Sequence, residues 1–278
     1  IAAVGRGLAA EGARVIDATD HLVLPGFVNA HTHAAMTLLR SAGDDMPLHQ
    51  WLTERIFPLE ARLTGEDVYW GTLLAIAEML KGGVTTFADT YFFMDQVARA
   101  VEESGVRAVL SRGMVEASGW EKAVAETRAL VEDWHGAGEG RIRVMVAPHA
   151  VYTVPTRLAE TARLAEQWGV PIHIHVSETR VEVEDCLKQH GMTPVALLER
   201  EGVLQQPVLA AHCVHVTPED IEIMARRGVA VAHNPTSNMK LGSGRAPVQA
   251  MLDAGITVAI GTDGAASNNN LDLLEEVR

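Results

Sequence analysis

Cysteine is almost missing from this 278-residue chain: Cys186 and Cys213 are the only two, and they share no paired spacing. That excludes a disulfide framework and a thiolate metal cluster, and it fits a reducing compartment, so a cytoplasmic location is expected. Basic charge is short as well. Lys and Arg number 23 against 36 Asp and Glu, and the resulting net charge of −13 would repel a phosphate backbone or an anionic bilayer. Neither nucleic acid nor a membrane is an expected partner; a small-molecule substrate is, and a homo-oligomer stays open. Long apolar runs are lacking too, since Gly, charge or His breaks each one, and the first residues show no basic stretch leading into an apolar one. Internal repeats and low-complexity tracts are absent, and the cluster Gly5-Arg6-Gly7 has the wrong spacing and context for a dinucleotide fingerprint. What is there is a chain of 47% apolar residues, enough for a large core, carrying 12 histidines in an acidic background. Histidine is the usual side chain for metal ligation and for proton transfer near neutral pH, so its placement decides the functional reading.

Short apolar runs rich in Val, Ile and Ala alternate with longer amphipathic segments. The runs are Leu24–His33, Gly83–Thr90, Val106–Met114, Arg143–Ala150, Pro171–Glu178, Val208–His215, Val229–Asn238 and Thr257–Gly264. Start signals precede the amphipathic segments: Thr64-Gly65-Glu66-Asp67 before Val68–Lys81, and Thr217-Pro218-Glu219-Asp220 before Ile221–Arg227, each with the capping pattern and the second with Pro at the first helical position. Eight strands apolar on both faces and alternating with helices predict an α/β fold, a (β/α)8 barrel over residues 23–278. An open doubly wound sheet is the runner-up. Residues 1–22 hold only short β-like pieces such as Ala13–Ile16, too little to bury a face alone, and are expected to be a fragment of a small N-terminal β-sandwich. After the eighth run only Leu271–Arg278 is left, so the last barrel helix reads as truncated.

In such a barrel the site lies at the carboxyl ends of the strands, and here those ends are too polar for a packed core. The first run ends His31-Thr32-His33, the fourth Pro148-His149, the fifth His173-Ile174-His175-Val176-Ser177-Glu178, the sixth His212, the seventh His233-Asn234 and the eighth Thr262-Asp263. Residues i and i+2 of a strand share a face, so His31 and His33 can reach one ion. A single histidine at such a place is more often a hydrogen-bonded packing residue than a ligand, but five histidine-bearing ends plus an aspartate are not a chance set. His173 lies one layer deeper and reads as a buried, bonded residue. Three imidazoles and one carboxylate with a position open for water form a catalytic ligand set, and water on such an ion is deprotonated near neutral pH, at about 7 in favourable zinc sites. Gly261 and Ala259 are expected to leave room behind Asp263. Glu178, three residues after His175, belongs on the opposite face of a continued strand, so it is expected past the strand, where the chain turns back, as a proton shuttle.

The segment Leu24-Pro25-Gly26-Phe27-Val28-Asn29-Ala30-His31-Thr32-His33, the His175-x-x-Glu178 pair, Ala211-His212, His233-Asn234-Pro235-Thr236-Ser237-Asn238, and Gly261-Thr262-Asp263-Gly264-Ala265-Ala266-Ser267-Asn268-Asn269 together resemble the amidohydrolase superfamily, within it the 5-methylthioadenosine/S-adenosylhomocysteine deaminases and their chlorohydrolase relatives. The resemblance implies a (β/α)8 barrel with a small β-sandwich from both termini. It implies one divalent ion, zinc first, with Fe, Mn or Ni as alternatives, held by His31, His33, His175 and Asp263. No lysine ends the fourth run, where binuclear members carry a bridging one. By the same likeness Glu178 and His212 act on protons, with Asp263, while Trp51 and Glu60 match an adenosine-contacting Trp and a ribose-binding Glu, and Arg112 and His149 match further substrate contacts. A second substrate-binding arginine has no clear counterpart, Lys122 being the nearest cation.

The function these expectations compose is metal-dependent hydrolytic deamination of an adenine nucleoside: 5′-methylthioadenosine, S-adenosylhomocysteine or adenosine. Metal-bound hydroxide attacks the purine C6 and ammonia leaves. A cytidine-deaminase type is excluded because its H-x-E…P-C-x-x-C signature is missing. Two alternatives stand beside this one: a hydrolase of a triazine or another aminated heterocycle such as guanine, in which Glu60 would have no diol to bind, and an inactive ligand-binding barrel.

Overall fold

The computed structural model describes residues 3–9 and 11–278. Its centre is one sheet of eight parallel strands in chain order: β1 Phe27–Thr32, β2 Val84–Tyr91, β3 Arg107–Met114, β4 Ile142–Pro148, β5 Ile172–Val176, β6 Val208–His212, β7 Ala230–His233 and β8 Val258–Ile260. Each pairs with its sequence neighbour, and each of the eight predicted runs overlaps one of them, with β2 reaching one residue past its run to Tyr91 and β4 starting one residue before its run at Ile142. The seventh run is the one most shortened. Pro235 cannot continue a ladder but suits the first turn of a helix, and Pro235–Lys240 is helical.

Both predicted capping boxes form. Thr64 Oγ1 accepts from Asp67 N–H while Asp67 accepts from Thr64 N–H at 2.8 Å, opening helix Gly65–Lys81. Thr217 and Asp220 do the same at 3.1 and 2.9 Å for helix Pro218–Arg227, which ends on Gly228 at φ 66°. The core lies between strands and helices, where Ile56, Phe87, Leu110, Ile142, Leu158, Ile172, Leu197 and Met224 are fully buried, each contributing roughly 1.5–3 kcal/mol by leaving water. Both cysteines are buried and free. No helix among the described residues is long and apolar enough to cross a membrane.

The barrel closes between β8 and β1 through side chains and one backbone bond. Asn29 Nδ2 donates to Thr262 Oγ1 (2.7 Å), Thr262 N–H donates to Asn29 Oδ1 (3.0 Å), and Asp263 N–H donates to the His31 carbonyl (2.9 Å). Gly261 makes this approach possible: a Cβ there would sit 2.4 Å from Asn234 Oδ1 and 2.8 Å from His31 N. The expectation that Gly261 leaves room for a ligand is therefore corrected; the Asn234 side chain and the backbone of β1 fill that space.

The described residues before β1 form no strand or helix, and Val15, Ile16, Leu22 and Val23 are exposed. Ala13–Ile16, expected as a β-like piece, has no strand beside it. Residues 1, 2 and 10 of the expected 1–22 unit lie outside the described residues.

Candidate metal centre and active site

Five of the sequence-predicted side chains converge at the carboxyl end of the barrel. His31 on β1 is fully buried, and its Nε2 lies 3.4 Å from Asp263 Oδ1; His33, just past β1, puts Nε2 3.2 Å from the same oxygen. The two rings are 5.0 Å apart, and the β1–β2 register shifts between Asn29 and Thr32, a bulge-like irregularity that aims both inward. His175 on β5 and His212 ending β6 have their rings 4.9 and 5.5 Å from that of His31. Ligand atoms of His31, His33 and Asp263 lie within 4.8 Å of one another, and so do those of His31, His175 and His212. His31 belongs to both groups. His212, expected outside the ligand set, thus shares ligand distance with two of its members.

What each imidazole does with its other nitrogen gives the centre its character. Nδ1 of His33 meets the Thr90 carbonyl (2.6 Å), Nδ1 of His175 the His149 carbonyl (2.8 Å), Nδ1 of His212 Asn238 Oδ1 (2.8 Å) and Nδ1 of His31 His173 Nε2 (2.9 Å). A carbonyl or amide oxygen can only accept, so His33, His175 and His212 carry a proton on Nδ1, and in the neutral ring the lone pair is then at Nε2. His31 Nε2 is buried without a hydrogen-bond partner. Outer bonds that fix the tautomer and leave Nε2 bare and inward fit a divalent cation, as does Asp263, whose Oδ2 accepts from Ser237 Oγ at 2.6 Å and Oδ1 from Gly264 N–H at 2.8 Å. His173 sits one layer below, as expected.

Burial pushes His31 and His149 down to about 4 and His175 and His173 well below the ordinary imidazole value, so all four are neutral at pH 7. Burial opposes charge on His212 as well, but the carboxylates of Glu178 and Asp263 outweigh it and raise its pKa. Burial works against Asp263, whose pKa is nevertheless held well below the usual carboxylate range by His31, His33 and His212.

Glu178 is reached by a turn, as the sequence required. Ser177 takes φ 50°, and the Glu178 carboxylate comes to 3.8 Å from His212 Nε2, buried and with a raised pKa because it is desolvated. His212 at φ 70°, Cys213 at φ 49° and Asp263 at φ 61° are also left-handed, a conformation costing a non-glycine residue on the order of 1–3 kcal/mol and concentrated at working sites. His149 lies at the rim, its ring 4.8 Å from that of His175 and its Nδ1 3.1 Å from Thr153 Oγ1. Glu60 is half-buried and raised in pKa by that burial, with the Tyr91 hydroxyl and His33 opposing the shift. Trp51 is buried with its indole N–H unpartnered.

Two residues do not join. Arg112 donates from Nε to Glu126 at 2.7 Å, in a cleft shared with Phe93, Met94, Asp133 and Trp134 on the helix side of β3. His233 lines an outer cleft with Pro247, Ile260 and Glu276, and the next residue, Asn234, takes the inward place beside His212. Sequence reading missed Asn238, Ser237, Glu182 and Tyr91 as site neighbours; the first two stood in the quoted His233–Asn238 motif, the others in no recognisable pattern.

The profile of the amidohydrolase family matches residues 22–278. The chain belongs to this family. A 5-methylthioadenosine/S-adenosylhomocysteine deaminase of Syntrophomonas wolfei is 57% identical over 280 residues, covering 99% of this chain and 65% of that relative. One from Desulforudis audaxviator is 57% identical over 270 residues, covering 96% and 63%. This amidohydrolase chain thus spans somewhat under two thirds of the length of the relatives it matches. Among solved structures, an adenosine deaminase from Xanthomonas campestris with bound zinc superposes with a TM-score of 0.86 at 41% identity, over 91% of this chain and 58% of that one. An atrazine chlorohydrolase from Arthrobacter aurescens complexed with zinc gives 0.83 at 27%, over 91% and 63%.

Proposed function

We propose that this amidohydrolase chain carries the active site of a metal-dependent hydrolytic deaminase that releases ammonia from C6 of an adenine nucleoside, with 5′-methylthioadenosine, S-adenosylhomocysteine and adenosine as the substrate class. The observation that carries the reading is the convergence of bare Nε2 atoms on Asp263 with a buried Glu178–His212 pair beside them. The names and the zinc of the relatives support it.

His31, His33, His175 and Asp263 would hold the divalent ion, with zinc as the first choice. When bound, such an ion acts as a Lewis acid that brings the pKa of water to about 7. The rest falls to side chains. Glu178 takes a proton on a carboxylate oxygen and passes it to the purine N1, and burial, by raising its pKa, makes it the readier proton acceptor. His212, its Nδ1–H fixed on Asn238, keeps Nε2 facing Glu178 and the reacting water. Glu60 accepts from a ribose diol, Trp51 and His149 bound the base, and the buried position of the cluster excludes bulk water. Arg112, paired with Glu126, is proposed as a substrate contact only through release of that pair.

Ammonia release screened over adenosine, methylthioadenosine, S-adenosylhomocysteine, guanine and a chlorotriazine tests the reading. We expect the adenine nucleosides to react, Glu178→Gln to lose 10²–10⁴-fold in kcat with substrate still bound, and Glu60→Ala to lose about 10- to 100-fold in kcat/KM. A Glu178→Gln protein of full activity would overturn the proton role. Nucleoside turnover untouched by Glu60→Ala, with triazine turnover present, would move the substrate class to heterocycles without a sugar.

A further inference from the structure

Strand geometry would send Glu178 away from the site, because it lies three residues beyond His175 and three is an odd number. The turn that brings it back is made by Ser177, at φ 50°, a conformation that a residue with a Cβ keeps only where its surroundings impose it. Glu182 supplies the imposition. One carboxylate oxygen accepts from Ser177 N–H at 2.9 Å and the other from Glu178 N–H at 2.8 Å, so each of two consecutive buried amides has its own side-chain acceptor.

The clamp is itself rigid. Glu182 is 5% exposed and stands in the first turn of helix Arg180–His190, whose N-cap Thr179 accepts from the Glu182 N–H at 3.2 Å. The opposite side of the turn is held by His215 N–H, which donates to the Ser177 carbonyl at 2.9 Å. Among the described residues the groups acting on the Glu182 carboxylate are the Ser177, Glu178 and Thr179 backbone and the Glu178 carboxylate, with no lysine, arginine or histidine. A buried carboxylate with no cation, both of whose oxygens go to the two amides that aim another carboxylate, has that aiming as its chemistry.

We propose that Glu182 is the positioning residue for proton transfer: it holds the Ser177–Glu178 backbone so that the Glu178 carboxylate stays against His212. This rests on the reading of Glu178 as the proton carrier. Glu182 touches neither substrate nor ion and acts through Glu178.

The test is a double-mutant cycle on the zinc-loaded protein with an adenine nucleoside. Glu182→Gln keeps the side-chain shape but sets an amide NH2 against one of the two N–H donors. We expect kcat to fall about 10- to 100-fold with KM and zinc content unchanged, and the Glu178→Gln/Glu182→Gln protein to be no slower than Glu178→Gln alone. Where Gln is not tolerated at 182, Glu182→Asp, which draws the carboxylate back by one methylene, has to show the same loss confined to kcat. A full kcat in Glu182→Gln overturns the proposal. So does a second loss of similar size when the change is added to Glu178→Gln, or a fall in kcat matched by lost zinc in both variants, since either assigns Glu182 to the scaffold. Should Glu178→Gln itself keep full activity, the proton role fails instead, and the two failures are distinguishable.

Discussion

The histidines at the barrel mouth differ in chemistry because their partners differ. Those whose Nδ1 meets an oxygen acceptor keep Nε2 as a lone pair; His212, placed among carboxylates, is the one whose pKa moves up. His149 is a simpler case, outside the expected ligand set yet pushed to about 4 by burial and then by His33, His31 and His212. In the unfolded chain an imidazole titrates near 6.5, so on acidification the unfolded state takes up the proton first. His149 therefore has no pH-linked effect on stability above 6.5, and its penalty grows as pH falls from 6.5 toward about 4, by about 1.4 kcal/mol per unit. In the metal-free protein, His149→Gln should gain about 1 kcal/mol on the parent between pH 7.5 and pH 5.5, read as the change in their difference in urea unfolding free energy. An unchanged difference would mean that His149 titrates in the fold as it does in water. The residues legible in the sequence were those whose side chains meet the centre directly from strand ends: His31, His33, His175, His212, Asp263. Glu182, Ser237 and Tyr91 were not, because they act through a backbone turn or a contact across the barrel, and such contacts leave no period to read.

Among the elements, the strand runs were legible because parallel strands buried on both faces are apolar throughout, and the capping boxes because their chemistry is local. What the runs could not convey was closure. The β8–β1 seam is set by Asn29 with Thr262 and by the Asp263 N–H on the His31 carbonyl, so one seam ties two expected ligands together. Reading Gly261 as empty space failed for the same reason: the strand that helps fill it lies more than 200 residues away in sequence. Gly261→Ala should therefore cost roughly 1–3 kcal/mol in unfolding free energy, the usual size for overpacking, and should also weaken zinc binding, since the displaced atoms are Asn234 Oδ1 and the His31 backbone. Calorimetry and zinc titration on one preparation measure both. A stability loss with zinc affinity intact would show that the seam and the centre are independent.

At the scale of the whole molecule, the centre draws on β1, β5, β6 and the segment after β8, so a cation bound there crosslinks the barrel across its widest sequence separations. Both ligand-distance groups contain His31, and two ions cannot share its single free Nε2. The expected stoichiometry is therefore one. Ligand binding to the folded state alone stabilises by RT ln(1 + [L]/Kd), about 1.4 kcal/mol for each tenfold rise in free metal above Kd. Stripping the protein with a chelator should lower Tm. Titrating zinc back should raise Tm steadily and reach a binding endpoint at one equivalent per chain, while His31→Ala, which takes a ligand from both groups at once, should show neither the endpoint nor the zinc-dependent rise. His33→Ala removes a ligand from one group only and should bind zinc more weakly at the same stoichiometry. An endpoint at two equivalents, or a His31→Ala protein that still gains Tm with zinc, would mean that the two groups are separate sites and that the shared imidazole is not the keystone of the centre.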